Sequence, residues 1–413
     1  MKPMLSVQDA KELILHHFAP VSTEKVDLQN VLGRVLSEPI ISNVTLPRFD
    51  HSSVDGFAVL AKDTANASVE RPIELDVIAD IPAGWGKNAS VHAGFAARIM
   101  TGAPIPLGAD AVVMVEDTDA ARAATGSPIP SKVLIHKPIK SGENIRFQGD
   151  DLSSGQVILD PGHKVRPQDV GMLAMLGIDS ISVYRKPKVA VFSSGDELVT
   201  PGTNLQPGQI FDSNSPMIEA LVRNQGCEVV HLGIAKDTKE DVERVLGLTL
   251  VNKPDVIIST AGVGTGVYDY IKEVVTSDGN LDFWKVNMRP GKPLAFGNYR
   301  GIPFFGLPGN PVSSYVSYQV FAKPSLAILA GIGANTVTTI KVKLGEAIRS
   351  DGRESYLRVV INNSGGQPIA RMTGHQGSGN LFSTVLANAL LIIPSGVTDC
   401  PEGSEFEAWL TDQ

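Results

Sequence analysis

The chain has 413 residues, of which 43% are hydrophobic and 19% are charged, and its formal net charge is −8. At about 150 residues per domain, this length predicts two to four domains, and the composition is ordinary for a globular protein. The acidic balance argues against general binding to nucleic acid or anionic membrane, because no excess of Lys and Arg exists to displace counterions from phosphates.

Neither a disulfide framework nor a membrane segment is indicated. The two cysteines, Cys227 and Cys400, lie far apart in the sequence, which also argues against a cysteine-based zinc site and fits a reducing compartment. The first residues, MKPMLSVQDAKELILHH, lack the continuous apolar stretch of an export signal, and no apolar run reaches the roughly 18 residues of a membrane span. We expect a cytoplasmic protein.

Two helices and then short strands are predicted in the first part of the chain. Ser6 is a helix cap before apolar residues with helical spacing, and a second helix is predicted in LQNVLGRVL, residues 28–36. From Leu46 to about Ser141, short apolar runs alternate with Pro/Gly turns and predict a β-rich insertion. Within it, Asp55 in RFDHSSVDGFAV and Thr101 in RIMTGAPIP lie in polar loops that are either ordinary turns or parts of a site.

The second part of the chain predicts a parallel sheet followed by a small β domain. A helix is expected in PQDVGMLAMLG, and from Lys188 to Gly331 apolar strands alternate with helices, as in right-handed βαβ units. Past Gly331 the pattern predicts strands of a small antiparallel domain or barrel. The fold class is α/β plus β, with an N-terminal helical and strand domain at 1–45 and 142–186, the insertion at 46–141, the α/β domain at 187–331 and the β domain at 332–413.

Acidic residues follow three of the predicted strands. Asp196 and Glu197 come after VAVFSS, Asp237 comes after HLGIA, and Asp269 comes after DVIIST and a glycine-spaced loop. Each acid alone is explained by a helix cap or a solvated surface, which is the better interpretation for Asp196 and Asp237. Because the carboxyl ends of parallel strands share one edge, the acids together predict a Mg²⁺ site, which needs one or two carboxylates beside water and phosphate oxygens.

Basic residues follow further along the chain. Alternation along the strand predicted in DFWKVNM places Lys285, Asn287 and Arg289 on one face, with Lys292 beyond a Pro-Gly turn. This is either an ordinary basic edge strand or a cluster that faces phosphate or another oxyanion.

Two loops of the α/β region suit an anion. Gly262, Gly264 and Gly266 let backbone N–H groups approach a ligand closely, but their spacing is neither that of a dinucleotide-binding loop nor that of a P-loop. In FFGLPGNPVSSYV, a strand and a tight turn lead into a helix that Asn310 caps and Pro311 begins, and the free N–H groups that follow also suit an anion.

These stretches together resemble one family, the MoeA-type molybdopterin molybdenumtransferases, to which the E domain of gephyrin also belongs. The resemblance runs nearly from end to end, and its motifs occur in the expected order: FDHSSVDGFAV, MTGAPIPLGADAVV, GENIRFQGDD, SSGDEL, NMRPGKP, GLPGNPVS and TGHQGSGNL. It implies four domains in an elongated homodimer. Partners that it suggests are the molybdopterin adenylyltransferase of the same pathway and molybdoenzyme-maturation proteins.

The resemblance also implies a reaction and its residues. Adenylylated molybdopterin and molybdate are the substrates, the phosphoanhydride is cleaved with Mg²⁺ or a similar cation, and molybdenum is left on the dithiolene as AMP is released. Predicted as catalytic are Asp55, Thr101, Glu197, Asp269 and Lys285, with Asp55 and Thr101 presented by the insertion of the partner subunit. Predicted to bind substrate are Asp237, Gly262, Gly264, Gly266, Arg289, Lys292, Pro308, Asn310, Arg358 and Ser378, the last two around molybdate. The metal ligands would be Glu197, Asp237 and Asp269.

One loop departs from the family pattern. Members usually read G-G-V-S-V-G, whereas this chain reads AGVGTGV, so Gly264 lacks a hydroxyl for phosphate and Val267 removes a candidate cation ligand. If backbone N–H groups of this loop supply most of the contacts to phosphate, the enzyme is active. Alternatively, the chain is a paralogue that serves as a molybdopterin-binding or scaffolding protein. An adenylyltransferase or pyrophosphatase on the same α/β domain would not need FDHSSVDGFAV or TGHQGSG. Molybdate and tungstate are equally compatible, because both are tetrahedral dianions of similar size.

Overall fold

The computed structural model describes residues 4–84, 88–122, 127–261, 270–334, 337–364 and 366–411. The chain forms two compact units, one of Pro39–Asp160 and a larger one of Met1–Glu38 with Pro161–Gln413. The predicted insertion at 46–141 lies within the first unit, and the division into four domains stays a prediction.

The N-terminal segment begins with the predicted helix, α1, at Val7–Leu15. Ser6 caps it, because its Oγ accepts a hydrogen bond from the Asp9 N–H at 3.0 Å. Strand β1, Thr23–Asp27, follows.

The helix predicted at residues 28–36 is wrong. Within this fully described segment, helical structure is limited to a 3₁₀ turn at Leu28–Asn30. The Gly33 and Leu36 N–H groups donate to the carbonyls of Val165 and His163. Because these backbone groups bond to a distant part of the chain, they are not available for a helix. The spacing of apolar residues in this segment therefore reflects which side chains are buried and not a helical backbone.

Short strands make up the unit Pro39–Asp160, as predicted for the insertion. The strands are β2 Ile40–Ile41, β3 His51–Ser52, β4 Gly56–Val59, β5 Ile73–Ile81, β6 Phe95–Ile99, β7 Ala111–Met114, β8 Lys132–Ile135, β9 Ile145–Arg146 and β10 Val157–Leu159. The largest sheet has the order β7-β4-β6-β5-β8, in which β5 and β6 are parallel and the other pairs antiparallel. Gly56 permits the close approach of β4 to β7, because an added Cβ would stand 1.9 Å from the Val113 carbonyl oxygen.

The α/β fold follows helix α2, Pro167–Met175, and strand β11, Ser180–Tyr184, which pairs with β1. Its strands are β12 Lys188–Ser194, β13 Leu198–Val199, β14 Ile210–Phe211, β15 Glu228–Ala235, β16 Val256–Thr260, β17 Gly279–Lys285, β18 Met288–Arg289, β19 Pro293–Tyr299 and β20 Ile302–Leu307. Its helices are α3 Asn214–Asn224, α4 Lys239–Gly247, α5 Thr249–Asn252, α6 Tyr270–Ser277, α7 Pro311–Ser317 and α8 Lys323–Leu329.

The main sheet of this region has the order β15-β12-β16-β20-β19-β17. Strands β15, β12, β16 and β20 are parallel, which confirms the predicted βαβ architecture. Strand β19 is antiparallel to β20, and β17 is antiparallel to β19, so β17 runs in the direction of β20. One face of the sheet packs against α1, α3, α7 and α8, and the other packs against α4 and α6.

The C-terminal strands close into a barrel, which confirms one of the two predicted forms. They are β21 Thr339–Leu344, β22 Ile348–Arg349, β23 Glu354–Ser364, β24 Gln367–Met372, β25 Ala389–Ile393, β26 Asp399–Cys400 and β27 Glu405–Leu410, with helix α9 at Phe382–Leu386. The sheet order is β18-β23-β24-β21-β27-β25, and pairing of β23 with β25 completes the ring. Because β18 pairs with β23, the barrel is joined to the segment that follows β17. None of the helices in the described ranges has the length and apolar character needed to cross a membrane.

Candidate active site

The carboxyl ends of the parallel strands form one edge of the α/β sheet. Asp237 follows β15, Asp196 and Glu197 follow β12, and the turn with Pro308 and Asn310 follows β20. Since β17 runs in the direction of β20, Lys285 at its end reaches the same edge. The topology therefore brings acids and cations predicted for the site to one edge, where open α/β sheets bind their ligands.

Acids and cations occupy different ends of this edge. Strands β12 and β19 are separated by β16 and β20. At a spacing of about 4.8 Å between neighbouring strands, β12 and β19 lie about 14 Å apart. The carboxylates and the ammonium groups therefore form two separate clusters, an acidic end (Asp196, Glu197 and Asp237) and a cationic end (Lys285 and Lys292).

Hydrogen bonds hold the acidic end together. Ser194 Oγ donates to Asp237 Oδ1 at 2.8 Å, and the Asp237 N–H donates to Asp196 Oδ1 at 3.2 Å. Glu197 folds back over Gly195, where an added Cβ would stand 2.7 Å from Glu197 Oε2. Within the described ranges, no basic nitrogen lies within 4.0 Å of the oxygens of Asp196, Glu197 or Asp237. These carboxylates are therefore available to a cation.

The donor atoms at the acidic end are of the kind that Mg²⁺ binds. Glu197 and Asp237 offer hard oxygen donors, and Mg²⁺ takes one or two carboxylates beside water and phosphate oxygens. The described residues contain no group of three His, Cys, Asp or Glu side chains suited to a metal. The third predicted ligand, Asp269, lies outside the described residues, as do the loop glycines Gly262, Gly264 and Gly266.

Asp212 is an acid that sequence reasoning missed. Its side chain is 4% exposed, and its Oδ1 accepts hydrogen bonds from the N–H groups of Asn214 and Ser215 at 3.0 and 3.1 Å. Across the described chain, no cation lies within 4.0 Å of this carboxylate. Asn214 donates to the Gly309 carbonyl at 2.7 Å, whereas its own Oδ1 has no partner in the described structure. The only sequence signal, an Asp before a helix, predicts a cap and nothing more.

The strand predicted through Lys285, Asn287 and Arg289 is wrong. Strand β17 ends at Lys285, the Asn287 N–H donates to the Leu5 carbonyl, and Arg289 belongs to β18, which pairs with the barrel. The backbone thus bonds to different partners on either side of Val286, so the three side chains do not share one strand face.

A cationic pocket of about 310 Å³ lies where the β18–β19 turn, the start of α7 and the barrel meet. It brings together five of the predicted residues: Arg289, Lys292, Asn310, Arg358 and Ser378. It adds Ser313, Arg353 and Gln376, which sequence reasoning did not single out because they belong to segments far apart in the chain. No acidic side chain of the described residues lines it. Asn310 is the N-cap residue of α7, as predicted, but its side chain makes no capping bond and so remains free to face a ligand.

Arg358, on β23, is fully buried at this pocket. Its Nε donates to Ser383 Oγ at 3.1 Å, and its Nη2 donates to the Gly377 carbonyl at 3.2 Å. The described residues place no carboxylate within 4.0 Å of its guanidinium. Burial, and then the nearby charge of Arg289, lower the pKa of Arg358 to about 10, so the side chain is still a cation at neutral pH. A buried cation without a counter-charge favours the binding of an anion.

Asp351 orients the other two arginines. Its Oδ2 lies 3.1 Å from Arg353 Nε and 3.6 Å from Arg289 Nη1. The hydrogen bond from Arg353 holds the pKa of Asp351 below its usual value. Asp351 stays ionised, so it fixes both guanidinium groups beside the pocket without lining it.

Asp55 and Thr101 meet within the unit Pro39–Asp160. Asp55 precedes Gly56 on β4, and Thr101 comes two residues after Ile99 on β6. Gly56 and Ile99 pair with each other in the antiparallel strands β4 and β6. The Thr101 N–H and Oγ1 both donate to Asp55 Oδ1, at 2.7 and 2.8 Å. Both side chains are exposed, so this pair is already formed and open to a ligand.

Comparisons with known proteins agree along the whole chain. Family models match residues 5–177 as the MoeA N-terminal region (domain I and II), 190–328 as a probable molybdopterin binding domain, and 341–411 as the MoeA C-terminal region (domain IV). The molybdopterin molybdenumtransferase of Nostoc sp. is 35% identical over 98% of this chain and 93% of its own. Molybdopterin molybdenumtransferase 2 of Mycobacterium tuberculosis is 35% identical over 98% of this chain and 99% of its own.

A solved structure gives the same answer for the fold. The crystal structure of a molybdopterin biosynthesis moeA protein from Pyrococcus horikoshii OT3 has a TM-score of 0.81 to this chain, with 32% identity, and covers 99% of this chain and 100% of its own. With near-complete coverage by relatives above 30% identity, the chain belongs to the MoeA family of molybdopterin molybdenumtransferases, a family of transferases in molybdenum cofactor biosynthesis.

Proposed function

We propose that this protein transfers molybdenum from molybdate to adenylylated molybdopterin and releases AMP, in a reaction supported by Mg²⁺. The observation that carries the proposal is the buried, uncompensated guanidinium of Arg358 beside the hydroxyl groups of Ser313 and Ser378. Charged and neutral donors around a small cavity are the groups that bind a tetrahedral oxyanion. Molybdate is such an oxyanion, and the relatives are named as molybdenumtransferases.

Side chains at the rim of the pocket would hold molybdate and the pterin together. Lys292 and Arg289 add positive charge beside Arg358, which offsets the charge of a dianion. Gln376 is held in place, because its Nε2 donates to the Arg358 carbonyl at 3.0 Å. The pocket is therefore ordered before substrate arrives, which lowers the entropy cost of binding.

The acidic end would serve the phosphoanhydride. Glu197 and Asp237 would hold Mg²⁺, whose role is to neutralise charge on the phosphate oxygens. Lys285, at the cationic end, would offset the negative charge of the part of the substrate that lies beside it. The separation of about 14 Å between strands β12 and β19 suits an extended substrate, with its dithiolene at the Arg358 pocket and its phosphates along the sheet edge.

We also propose a homodimer in which the Asp55–Thr101 pair of one protomer completes the site of the other. Its support is that this pair is preformed and exposed, and that the family resemblance gives these two positions that role. Mixing inactive Asp55→Ala protein with inactive Arg358→Met protein should then restore part of the activity, because one site of a mixed dimer is intact. Two variants that never complement each other would contradict the shared site.

The central test incubates the purified protein with adenylylated molybdopterin, Mg²⁺ and molybdate, and measures AMP and active cofactor. We expect both products from the wild-type protein and little of either from Glu197→Gln. Glu228→Gln is the matched control, because Glu228 is exposed and begins β15 at the opposite edge of the same sheet. Substrate binding without AMP would contradict the proposal and would favour a molybdopterin-binding or scaffolding protein.

A further inference from the structure

A second cavity, of about 290 Å³, lies beside the π-helical turn Tyr318–Ala322 that joins α7 to α8. We call it the π-turn pocket, and its lining includes Lys164, Gln225, Gln319 and Lys323. Among the described residues, it shares no lining residue with the pocket at Arg358. We propose that the π-turn pocket binds a small anion that carries phosphate or carboxylate groups.

Lys323 supplies the first reason. Its side chain is half-buried, and none of the described residues places a carboxylate within 4.0 Å of its ammonium group. Burial lowers the pKa of Lys323, which shows that its environment disfavours the charge. A partly buried cation without an acidic partner among the described residues is stabilised when an anion binds beside it.

Gln319 supplies the second reason. It is 9% exposed and lines the cavity, yet its amide makes no hydrogen bond within the described part of the chain. The neighbouring Gln225 is the contrast: its Nε2 donates to the Lys323 carbonyl, and its Oε1 accepts from Tyr318 Oη at 2.9 Å. The amide of Gln319 reaches the surface of the cavity without a partner among the described residues, so it is free to hydrogen-bond to a ligand there.

The charge of the surroundings supplies the third reason. A neighbouring cavity of about 260 Å³ shares Lys164 and Gln225 with the π-turn pocket and continues to Lys186. No acidic side chain of the described residues lines either cavity, although the whole chain carries a net charge of −8. A ligand with more than one anionic group could therefore extend from Lys323 past Lys164 towards Lys186.

The π-helical turn itself is consistent with a site. Such turns are rare and occur frequently at functional positions, because the wider turn displaces side chains from their helical places. Here Gln319 belongs to the turn and Lys323 follows it directly.

The test measures binding of inorganic pyrophosphate and of citrate by calorimetry at low ionic strength. We expect at least one probe to bind the wild-type protein and the Arg358→Met protein alike, since Arg358 is not part of this pocket. The probe that binds more tightly identifies the phosphate or the carboxylate source. Lys323→Met and Gln319→Glu should each weaken binding about tenfold or more, the effect of losing a charge-assisted hydrogen bond or adding a like charge.

Two controls keep the test decisive. Lys25→Met removes an exposed lysine elsewhere in the same unit and should leave binding unchanged. Without a probe, Lys323→Met should melt no lower than the wild-type protein, because it removes a half-buried charge that has no acidic partner among the described residues. Absence of binding, binding lost in Arg358→Met alone, or full binding by Lys323→Met would each overturn the proposal. None of these outcomes depends on transferase activity.

Discussion

The pocket at Arg358 and the start of helix α2 each bury a charged side chain, but only the start of α2 supplies the opposite charge. Asp169 on α2 is 5% exposed, and it accepts hydrogen bonds at 3.0 Å from both Arg166 Nε and Arg166 Nη2. Its Oδ2 also lies 2.6 Å from His163 Nε2. Arg358 has only the neutral partners Ser383 and Gly377 among the described residues.

This difference separates a structural charge from a functional one. A buried charge with partners in its own chain stabilises the fold, and removal of the charge leaves those partners unpaired. A buried charge without such partners lowers stability and is retained when a ligand supplies the missing charge. Asp169 is of the first kind, and we propose that Arg358 is of the second. Asp212, whose partners are backbone N–H groups, also has no opposite charge within 4.0 Å among the described residues.

Arg358→Met should show the largest effect. We expect molybdenum transfer to fall at least about 100-fold, as when a preorganised donor to an oxyanion is removed. Thermal stability should not fall, since no carboxylate is left unpaired. Arg349→Met is the matched control in the same C-terminal region, because the Arg349 side chain, on β22, is 93% exposed. Transfer close to that of the wild-type protein would show that Arg358 is a structural residue.

Asp212→Asn should reduce transfer about tenfold or more, the loss expected when a charged acceptor becomes neutral. The amide keeps an oxygen for the N–H groups of Asn214 and Ser215, so the cap of α3 is preserved. The free energy of unfolding, measured with denaturant, should therefore change by less than about 0.5 kcal/mol. A variant with full activity and a large loss of stability would make Asp212 a capping residue only.

Asp169→Asn should lower the stability of the fold and leave molybdenum transfer unchanged, the reverse of what we expect for Asp212→Asn. We expect a loss of about 2 kcal/mol in the free energy of unfolding, because the charge-assisted bonds from Arg166 are weakened. Transfer measured well below the melting temperature should be unchanged. Asp399→Asn is the control, because the Asp399 side chain is 80% exposed and its ion pair with Arg349 should contribute little.

The stabilisation by Asp169 should depend on pH. The hydrogen bonds from Arg166 hold the pKa of Asp169 well below its usual range. A lowered pKa in the folded state means that the stabilisation is complete above the unfolded pKa of about 3.9 and is lost as the pH falls below it. The difference in stability between wild type and Asp169→Asn should be constant from about pH 5 to 7 and should shrink below about pH 4. A constant difference down to pH 2 would contradict this account.

Ala261→Gly should show the smallest effect. Ala261 opens the glycine-spaced loop with a φ of +73°, a conformation that costs a residue with a Cβ about 1 kcal/mol relative to glycine. We expect a gain of less than about 1 kcal/mol in stability, because glycine also gains freedom in the unfolded chain. Ala65→Gly, at an exposed residue with a φ of −54°, should instead lower stability.

Periodic local features could be predicted from the sequence. The strand and helix alternation after Lys188, the capped helix at Ser6 and the barrel strands after Gly331 all appear as expected. Each depends on side-chain spacing and end residues within one segment. The acids at the strand ends followed from the same logic, because parallel strands place their carboxyl ends together.

Features that depend on distant partners could not be predicted in this way. The segment 28–36 loses its helix, and the strand through Arg289 is interrupted, because their backbone groups bond to remote parts of the chain. The cationic pocket combines residues from four segments, and none of them shows locally that Arg358 is buried without a counter-charge. By itself, the sequence determined the local elements, their order and the chemistry available to the site. Only the tertiary structure decided which charges are compensated, because burial and pairing depend on contacts between segments far apart in the chain.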